Sequence, residues 1–181
     1  MIFTETQLKG SHLIDLELFE DSRGAFARTF CKEEFEQIGH SGEFVQMNQS
    51  YNTKKGTIRG MHYQNPPFGE IKLIRCVKGA VADVIVDLRS GSSTFLQYLQ
   101  VELSESNHKM IYIPKGFAHG FQTLSDDAQL VYCHSEFYKP EAEAGLNYQD
   151  PRIAIDWPLP VSSISNRDRE HPFLQPNFQG I

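Results

Sequence analysis

The sequence predicts an all-β protein built as an antiparallel jelly roll, and three observations support this prediction. Short segments rich in β-branched and aromatic residues each end at a turn cluster, with the spacing of roughly 8–12 residues that sandwiches and barrels show. Apolar and polar residues alternate with a period of two in the clearest of these segments. The long helical crossovers that parallel strands require are missing, so an antiparallel architecture is favoured.

The predicted strands follow one another along most of the chain. They cover residues 14–19, 25–30, 44–51, 57–63, 71–77, 81–88, 96–103, 109–113, 117–124 and 128–137. The alternation is clearest over 81–88, where Val84 and Val86 share one face while Asp83 and Asp87 occupy the other. Helix is scarce: the pattern predicts about two turns over 32–38 and a second short helix after Pro140.

Composition narrows the class of function. A chain of 181 residues suits one domain, expected over 1–181, and its net charge of −6 disfavours binding to nucleic acids or anionic membranes. No apolar run approaches the ~20 residues of a membrane span. The first residues, MIFTETQLKG, lack the features of a secretory signal, which predicts a cytoplasmic protein. The three cysteines form no C-x-x-C pair and are interpreted as small buried hydrophobes. We therefore expect a protein that acts on a small molecule.

The segment IRGMHYQ concentrates polar groups inside a predicted strand. A strict period of two would turn His62 and Gln64 to one face and Arg59 to the other, unless Gly60 introduces a bulge. Lys72 follows in an otherwise apolar strand, which is unusual because ammonium groups are rarely buried without a partner. The residues alone leave two alternatives for Lys72, a functional group or an outward-facing side chain.

In the segment IPKGFAHGF, Pro114, Gly116 and His119 have the P-x-G-x-x-H spacing of the second cupin motif. The first cupin motif normally supplies two histidines and a glutamate to a metal, whereas this chain has His62, Gln64 and Glu70. Because an amide is a poor ligand for a transition metal, we expect no metal and no cofactor. His62 is then available as a general base near neutral pH. The other histidines are interpreted as core or surface residues: His12, His40, His108, His134 and His171.

Two later segments add further polar groups. The alternation in LVYCHSEFYKP puts Tyr132, His134 and Glu136 on one face, and Tyr138 follows if the strand continues regularly. The segment SISNRDREHP is predicted as a loop that holds Arg167 and Asp168. Spacing alone does not place this loop near any of the other groups.

Nine segments in order along the chain carry a resemblance to a known family. They are FEDSRGAF (19–26), FVQMNQS (44–50), IRGMHYQ (58–64), KLIRCVKG (72–79), DVIVDLR (83–89), IPKGFAHGF (113–121), YKPEAEAG (138–145), DPRIAIDWP (150–158) and SNRD (165–168). They resemble the dTDP-4-dehydrorhamnose 3,5-epimerase family of nucleotide-sugar enzymes. The resemblance implies a metal-free cupin jelly roll, usually a homodimer, that inverts carbons next to the 4-keto group of a nucleotide-linked 6-deoxyhexose.

The resemblance also implies roles for individual residues. By position, His62 matches the base and Asp168 the carboxylate that orients it, while Tyr132 matches the acid on the opposite face and Lys72 the group that stabilises the enolate. A 4-ketone acidifies the protons on C3 and C5, so removing one and returning it to the other face inverts the carbon. The implied substrate-binding positions are Arg23, reaching from the partner subunit, Phe26, Arg28, Gln46, Asn48, Arg59, His119, Tyr138, Glu143 and Arg167.

Departures from the family pattern fall near these binding positions. Arg28 stands where the family typically has a glutamate that can accept from thymine N3, and an arginine only donates, so the nucleotide is hypothesised to be other than dTDP, such as CDP. Met47, Gln49, Tyr148 and Arg167 also depart from the common residues. Three alternatives stay open: an epimerase acting at one centre of another nucleotide sugar, a metal-dependent cupin using His62, Glu70 and His119, and a binding module without catalysis.

Overall fold

Two antiparallel sheets face each other in the computed structural model of the protein, which describes residues 1–181. The six-stranded sheet contains, in spatial order, β1 (Ile2–Glu5), β2 (His12–Asp15), β10 (Met110–Ile113), β7 (Lys72–Lys78), β12 (Ala128–His134) and β5 (Gln46–Asn52). The five-stranded sheet contains β13 (Glu143–Gly145), β6 (Ile58–Gln64), β11 (Phe117–Thr123), β8 (Ala80–Asp87) and β9 (Tyr98–Ser104). The predicted antiparallel all-β architecture is confirmed.

The largest departures from the predicted strands lie near the N-terminus. Ile2–Glu5 forms an additional strand, β1, which pairs with β2. The predicted strand over 14–19 is divided between β2 and β3 (Phe19–Asp21), and the one over 25–30 shrinks to β4 (Gly24–Phe26). β3 and β4 form a hairpin outside both sheets, so only three residue pairs support it.

Helices are few and short, as expected. The predicted helix over 32–38 is confirmed as α1 (Lys32–Phe35), which continues as a 3-10 turn (Glu36–Ile38). The helix predicted after Pro140 is wrong, because Glu143–Gly145 instead pairs with the open edge of β6 as β13. The segment predicted as a loop around Asp168 forms α2 (Asn166–Glu170), whose first turn is capped by the Ser165 hydroxyl. None of these helical segments has the length and apolar character needed to cross a lipid bilayer.

Both faces of the five-stranded sheet are covered. One face packs on the other sheet through residues such as Ile74, Ile85 and Phe121, and the opposite face carries Val84 and Val86 beneath the C-terminal segment. The predicted alternation in β8 is therefore confirmed, but it does not separate core from solvent. Asp83 and Asp87, on the polar face, are both fully buried and hydrogen-bonded to other side chains. Among the cysteines, Cys76 is buried as predicted, whereas Cys31 and Cys133 are partly exposed.

Candidate functional site

A cavity of about 700 Å³ opens between the two sheets, within the usual size range of small-molecule sites. Polar side chains from β5, β6, β7, β11, β12 and α2 line most of it. The structure brings most of the residues singled out in the sequence into this cavity: Gln46, Asn48, Arg59, His62, Lys72, His119, Tyr132, Tyr138, Glu143, Arg167 and Asp168.

An irregularity at Gly60 allows β6 to contribute both Arg59 and His62 to the cavity. The register between β6 and β11 shifts at this point, as the bulge alternative requires, and Met61 packs on the opposite face. Gly60 has a φ of +122°, and a Cβ there would lie 2.6 Å from the Cα of Gly120. Only glycine permits so close an approach of the two strands, so Gly60 determines how the cavity wall is built.

His62 and Asp168 form a hydrogen-bonded pair although 106 positions separate them. The Oδ1 atom of Asp168 lies 2.8 Å from His62 Nε2, and its Oδ2 atom accepts from the Gly60 amide at 3.1 Å. Burial alone would raise the pKa of Asp168, but the hydrogen bond to His62 and the contacts that accompany it lower this pKa to about 2. The carboxylate is therefore charged and holds a proton on Nε2, which leaves His62 Nδ1 as the basic nitrogen.

Tyr132 lies on the inward face of β12, as the alternation predicts, and its hydroxyl is 2.9 Å from the hydroxyl of Ser50. Burial raises the pKa of Tyr132 well above its ordinary value of 10.0. The phenol thus stays protonated over the whole physiological range and can donate a proton. The ring edge of Tyr132 also packs near His119, which is itself paired with the fully buried Asp83 at 2.8 Å.

Lys72 points into the cavity, so the outward-facing alternative is wrong. Its side chain is 9% exposed, and Nζ lies 3.2 Å from Glu70 Oε1 and 3.4 Å from the backbone oxygen of His62. β7 therefore holds the Lys72 ammonium close to His62. The Glu70 carboxylate offsets the free-energy cost of burying that positive charge.

The remaining polar groups lie toward the cavity mouth. Arg59 Nε donates to Asn52 Oδ1 at 2.7 Å, while the Arg167 guanidinium donates to Glu143 at 3.1 Å. The Tyr138 hydroxyl also donates to Glu143. This mouth combines two arginines with an exposed aromatic ring, which suits an anionic ligand that carries a planar group.

Three predicted binding residues lie outside this cavity. Phe26 is 70% exposed on the β3–β4 hairpin, and Arg23 pairs with Asp21 at the tip of the same hairpin. Arg28 donates to Glu34 beside α1. The resemblance assigns Arg23 to the cavity of a partner subunit, which a single chain does not contain, so that assignment stays a prediction.

The three side chains considered as a metal set each contact a different partner. His62 pairs with Asp168, His119 with Asp83, and Glu70 with both Lys72 and His134. The group whose possible ligand atoms do lie together is His62, Asp168 and His171, within 4.8 Å of one another. The three side chains of the metal-dependent alternative are thus divided among separate pairs.

Two cavity residues, His134 and Glu70, form a pair to which the family resemblance assigns no role. His134, interpreted as a core or surface residue, lines the cavity, and its Nδ1 atom lies 2.7 Å from Glu70 Oε2. From the sequence, Glu70 is a candidate only as a metal ligand. The signal for His134 was present, because the alternation in β12 places it on the same face as Tyr132, but the partner that gives it a role comes from another strand.

Comparisons with known proteins agree on one family. Residues 5–176 match the family model described as dTDP-4-dehydrorhamnose 3,5-epimerase. A protein of that name from Shigella flexneri is 42% identical over 165 residues, which cover 91% of each chain. Among solved structures, the Bacillus anthracis enzyme of the same name, with TDP and PPi bound, is 40% identical and superposes with a TM-score of 0.92 over 96% of this chain and 99% of its own. A Legionella pneumophila dTDP-6-deoxy-D-glucose-3,5-epimerase in complex with dTDP-4-keto-L-rhamnose is 39% identical, with a TM-score of 0.91 over 95% and 92%.

Proposed function

The chain belongs to the dTDP-4-dehydrorhamnose 3,5-epimerase family, with its cupin jelly-roll fold, and on that premise we propose a residue-level mechanism for its cavity. The protein is an isomerase that epimerises C3 and C5 of a dTDP-linked 4-keto-6-deoxyhexose. His62 removes the proton from the carbon next to the ketone, and Tyr132 returns one to the opposite face. The observation that carries this proposal is the contact between His62 and the buried Asp168.

The dyad explains why His62 acts as the base. A charged Asp168 holds the imidazole in the tautomer with its lone pair on Nδ1, and it stabilises the imidazolium that forms when the proton arrives. Because the carboxylate is also bound by the Gly60 amide, it cannot turn away from the imidazole without losing a second hydrogen bond.

Lys72 and Tyr132 serve the two later stages. Loss of the proton moves negative charge onto the ketone oxygen, and the ammonium of Lys72 supplies a fixed positive charge for it. Tyr132 remains a neutral acid because its burial disfavours the phenolate. Proton return from a side other than that of His62 inverts the carbon.

The mouth of the cavity holds the nucleotide. Arg59 and Arg167 contact the diphosphate there, and Tyr138 stacks on the base or sugar. Further polar contacts to the substrate come from Gln46, Asn48, Glu143 and, deeper in the cavity, the buried His119. A homodimer would add Arg23 and Phe26 from the exposed β3–β4 hairpin of the partner subunit, and Arg28 from the segment between that hairpin and α1. Light scattering on the purified protein tests the dimer, and a monomer at working concentration would refute it.

Deuterium exchange tests the reaction directly. The protein is incubated in D2O with dTDP-linked and, separately, CDP-linked 4-keto-6-deoxyglucose, and NMR follows deuterium at C3 and C5. We expect exchange at both carbons of the dTDP sugar and none with His62→Ala. Exchange at one carbon would identify a single-centre enzyme. A preference for the CDP sugar would support the Arg28 hypothesis, and loss of activity with a chelator would support the metal-dependent alternative.

Two further proposals have tests of their own. Cell fractionation tests the proposed cytoplasmic location, and calorimetry tests whether residues 1–181 unfold as one domain.

A further inference from the structure

Glu70 holds two basic side chains at once in the cavity wall. Its Oε1 atom lies 3.2 Å from Lys72 Nζ and its Oε2 atom lies 2.7 Å from His134 Nδ1. All three side chains are nearly buried, with exposed fractions of 9%, 10% and 11% for Lys72, Glu70 and His134. The mechanism above uses Lys72 and gives no task to the other two.

Strand register brings these groups together. Lys72 is the first residue of β7 and His134 the last of β12, and the two are directly paired in the sheet. Glu70 lies two residues before β7, at the end of the turn that follows β6. The cluster is thus built on the rigid six-stranded sheet, with only the carboxylate supplied by a turn.

The carboxylate is charged in this arrangement. Burial would raise the pKa of Glu70, but the hydrogen bond from His134 and the charge of Lys72 outweigh it, and the pKa lies below its usual value. A buried ammonium without a partner would be costly, so the Glu70 charge also stabilises Lys72 in its buried position.

The other contacts of Lys72 and His134 are weaker. Lys72 Nζ reaches the backbone oxygen of His62 at 3.4 Å, and His134 Nε2 is 3.4 Å from Asn48 Nδ2. A lysine side chain is long and flexible, so one backbone contact at this distance does not fix its ammonium. Glu70 is the acidic group that forms an ion pair with this ammonium.

We propose that Glu70 is a positioning residue for Lys72 and that His134 in turn holds Glu70 in place. The inference rests on the proposed role of Lys72 as the cation that stabilises the enolate. Such a cation acts only if it is already fixed where the charge develops, and a misplacement of about 1 Å can cost about 100-fold in rate. The pair Glu70 and His134 thus acts on the transition state through Lys72.

Kinetics of six single variants and one double variant test this chain of contacts. We expect Glu70→Gln to lower kcat about 10- to 100-fold while KM changes little, because the ground state does not carry the enolate charge. His134→Ala should follow in the same direction, and His134→Gln, which can still donate to Glu70, should recover part of the loss. Glu136→Gln, a carboxylate on the same chain segment that does not line the cavity, is the matched control and should match wild type within about twofold.

The double variant separates a positioning role from a structural one. If Glu70 acts through Lys72, then Glu70→Gln should cost almost nothing further in a Lys72→Met background, measured by deuterium exchange over long incubations. An equal cost in both backgrounds would overturn the inference. If Glu70→Gln does not fold, as judged by circular dichroism, Glu70→Asp provides a second test, because it keeps the charge but shortens the side chain. A reduced kcat with a near wild-type KM supports the role, and an unchanged kcat overturns it.

The outcomes for the proposed function and for this inference are distinct. Lys72→Met with wild-type exchange would remove the proposed role of Lys72 and the inference with it. Lys72→Met with slow exchange, combined with wild-type kinetics for Glu70→Gln and His134→Ala, would refute the inference alone.

Discussion

Replacing Asp168 by asparagine tests whether the carboxylate holds His62 in the tautomer that can act as a base. Asp168 accepts two hydrogen bonds, from His62 Nε2 and from the Gly60 amide, with one oxygen each. An asparagine side chain has one acceptor oxygen and one NH2 group, so it can satisfy only one of these donors. If the oxygen stays on Gly60, the NH2 group faces His62 and favours the tautomer with its proton on Nδ1, which cannot act as a base.

The size of the effect follows from the loss of a charged partner. The pKa of Asp168 falls from 3.8 to about 2 in the folded protein, a net shift worth roughly 2 kcal/mol in which the effect of burial is outweighed by the contacts with His62, Gly60 and Ser165. In Asp168→Asn the imidazolium formed during the reaction loses this charged partner, and the wrong tautomer adds to the loss. We expect kcat to fall by about 10²- to 10⁴-fold.

The assay is the rate of deuterium incorporation at C3 and C5, with product formation followed by NMR in the same sample. Asp156→Asn, an exposed carboxylate outside the cavity, is the matched control and should retain wild-type rates. Circular dichroism establishes that both variants are folded. If folded Asp168→Asn exchanged both protons within about threefold of wild type, a difference of less than 1 kcal/mol, Asp168 would not be the group that holds the tautomer of His62.

Three further predictions concern the acid, the bulge and a buried carboxylate. Tyr132→Phe should lose epimerised product by about 10²- to 10⁴-fold while proton exchange catalysed by His62 continues, which NMR resolves as deuterated substrate of unchanged configuration; equal loss of both would contradict the assignment. Gly60→Ala should destabilise the fold by roughly 2 kcal/mol or more and abolish activity, since its Cβ would lie 2.6 Å from the neighbouring strand; urea unfolding measures this, and wild-type stability would contradict it. Burial would raise the pKa of Asp87, but hydrogen bonds from Arg89 and neighbouring hydroxyls lower it from 3.8 to about 2, so its stabilisation of roughly 2 kcal/mol is complete above pH 4 and lost as the pH falls toward 2. Between pH 4 and pH 2, the free energy of unfolding should therefore change less with pH in Asp87→Asn than in wild type, as measured by circular dichroism.

The periodic part of the fold could be predicted from the sequence. Strands β5 to β12 lie close to the predicted segments because β-branched residues and turn clusters mark them locally. The helix predicted after Pro140 could not be corrected in this way, because Glu143–Gly145 becomes a strand through pairing with the edge of β6, a partner far away in sequence. Likewise, the cap that Ser165 provides for α2 lies in a segment without hydrophobic periodicity.

In the candidate site, too, the features that belong to a single strand could be predicted from the sequence pattern, whereas contacts between distant segments could not. Alternation placed Tyr132 and His134 on one face, and the bulge at Gly60 was recognised as a possibility, because both are properties of a single strand. The pairing of His62 with Asp168 and the position of Glu70 between Lys72 and His134 depend on which strands become neighbours. Family resemblance anticipated the first of these pairings and not the second.

The distance in sequence between His62 and Asp168 has a consequence for protein synthesis. Chains emerge from the ribosome N-terminus first, so every strand of both sheets is synthesised before α2, whereas the base acquires its carboxylate only when α2 lies against β6. A nascent chain that stops before residue 165 would contain the strands that line the cavity but not the carboxylate of the dyad. Enzymatic activity therefore reports that synthesis has passed α2 and that this last helix is in place.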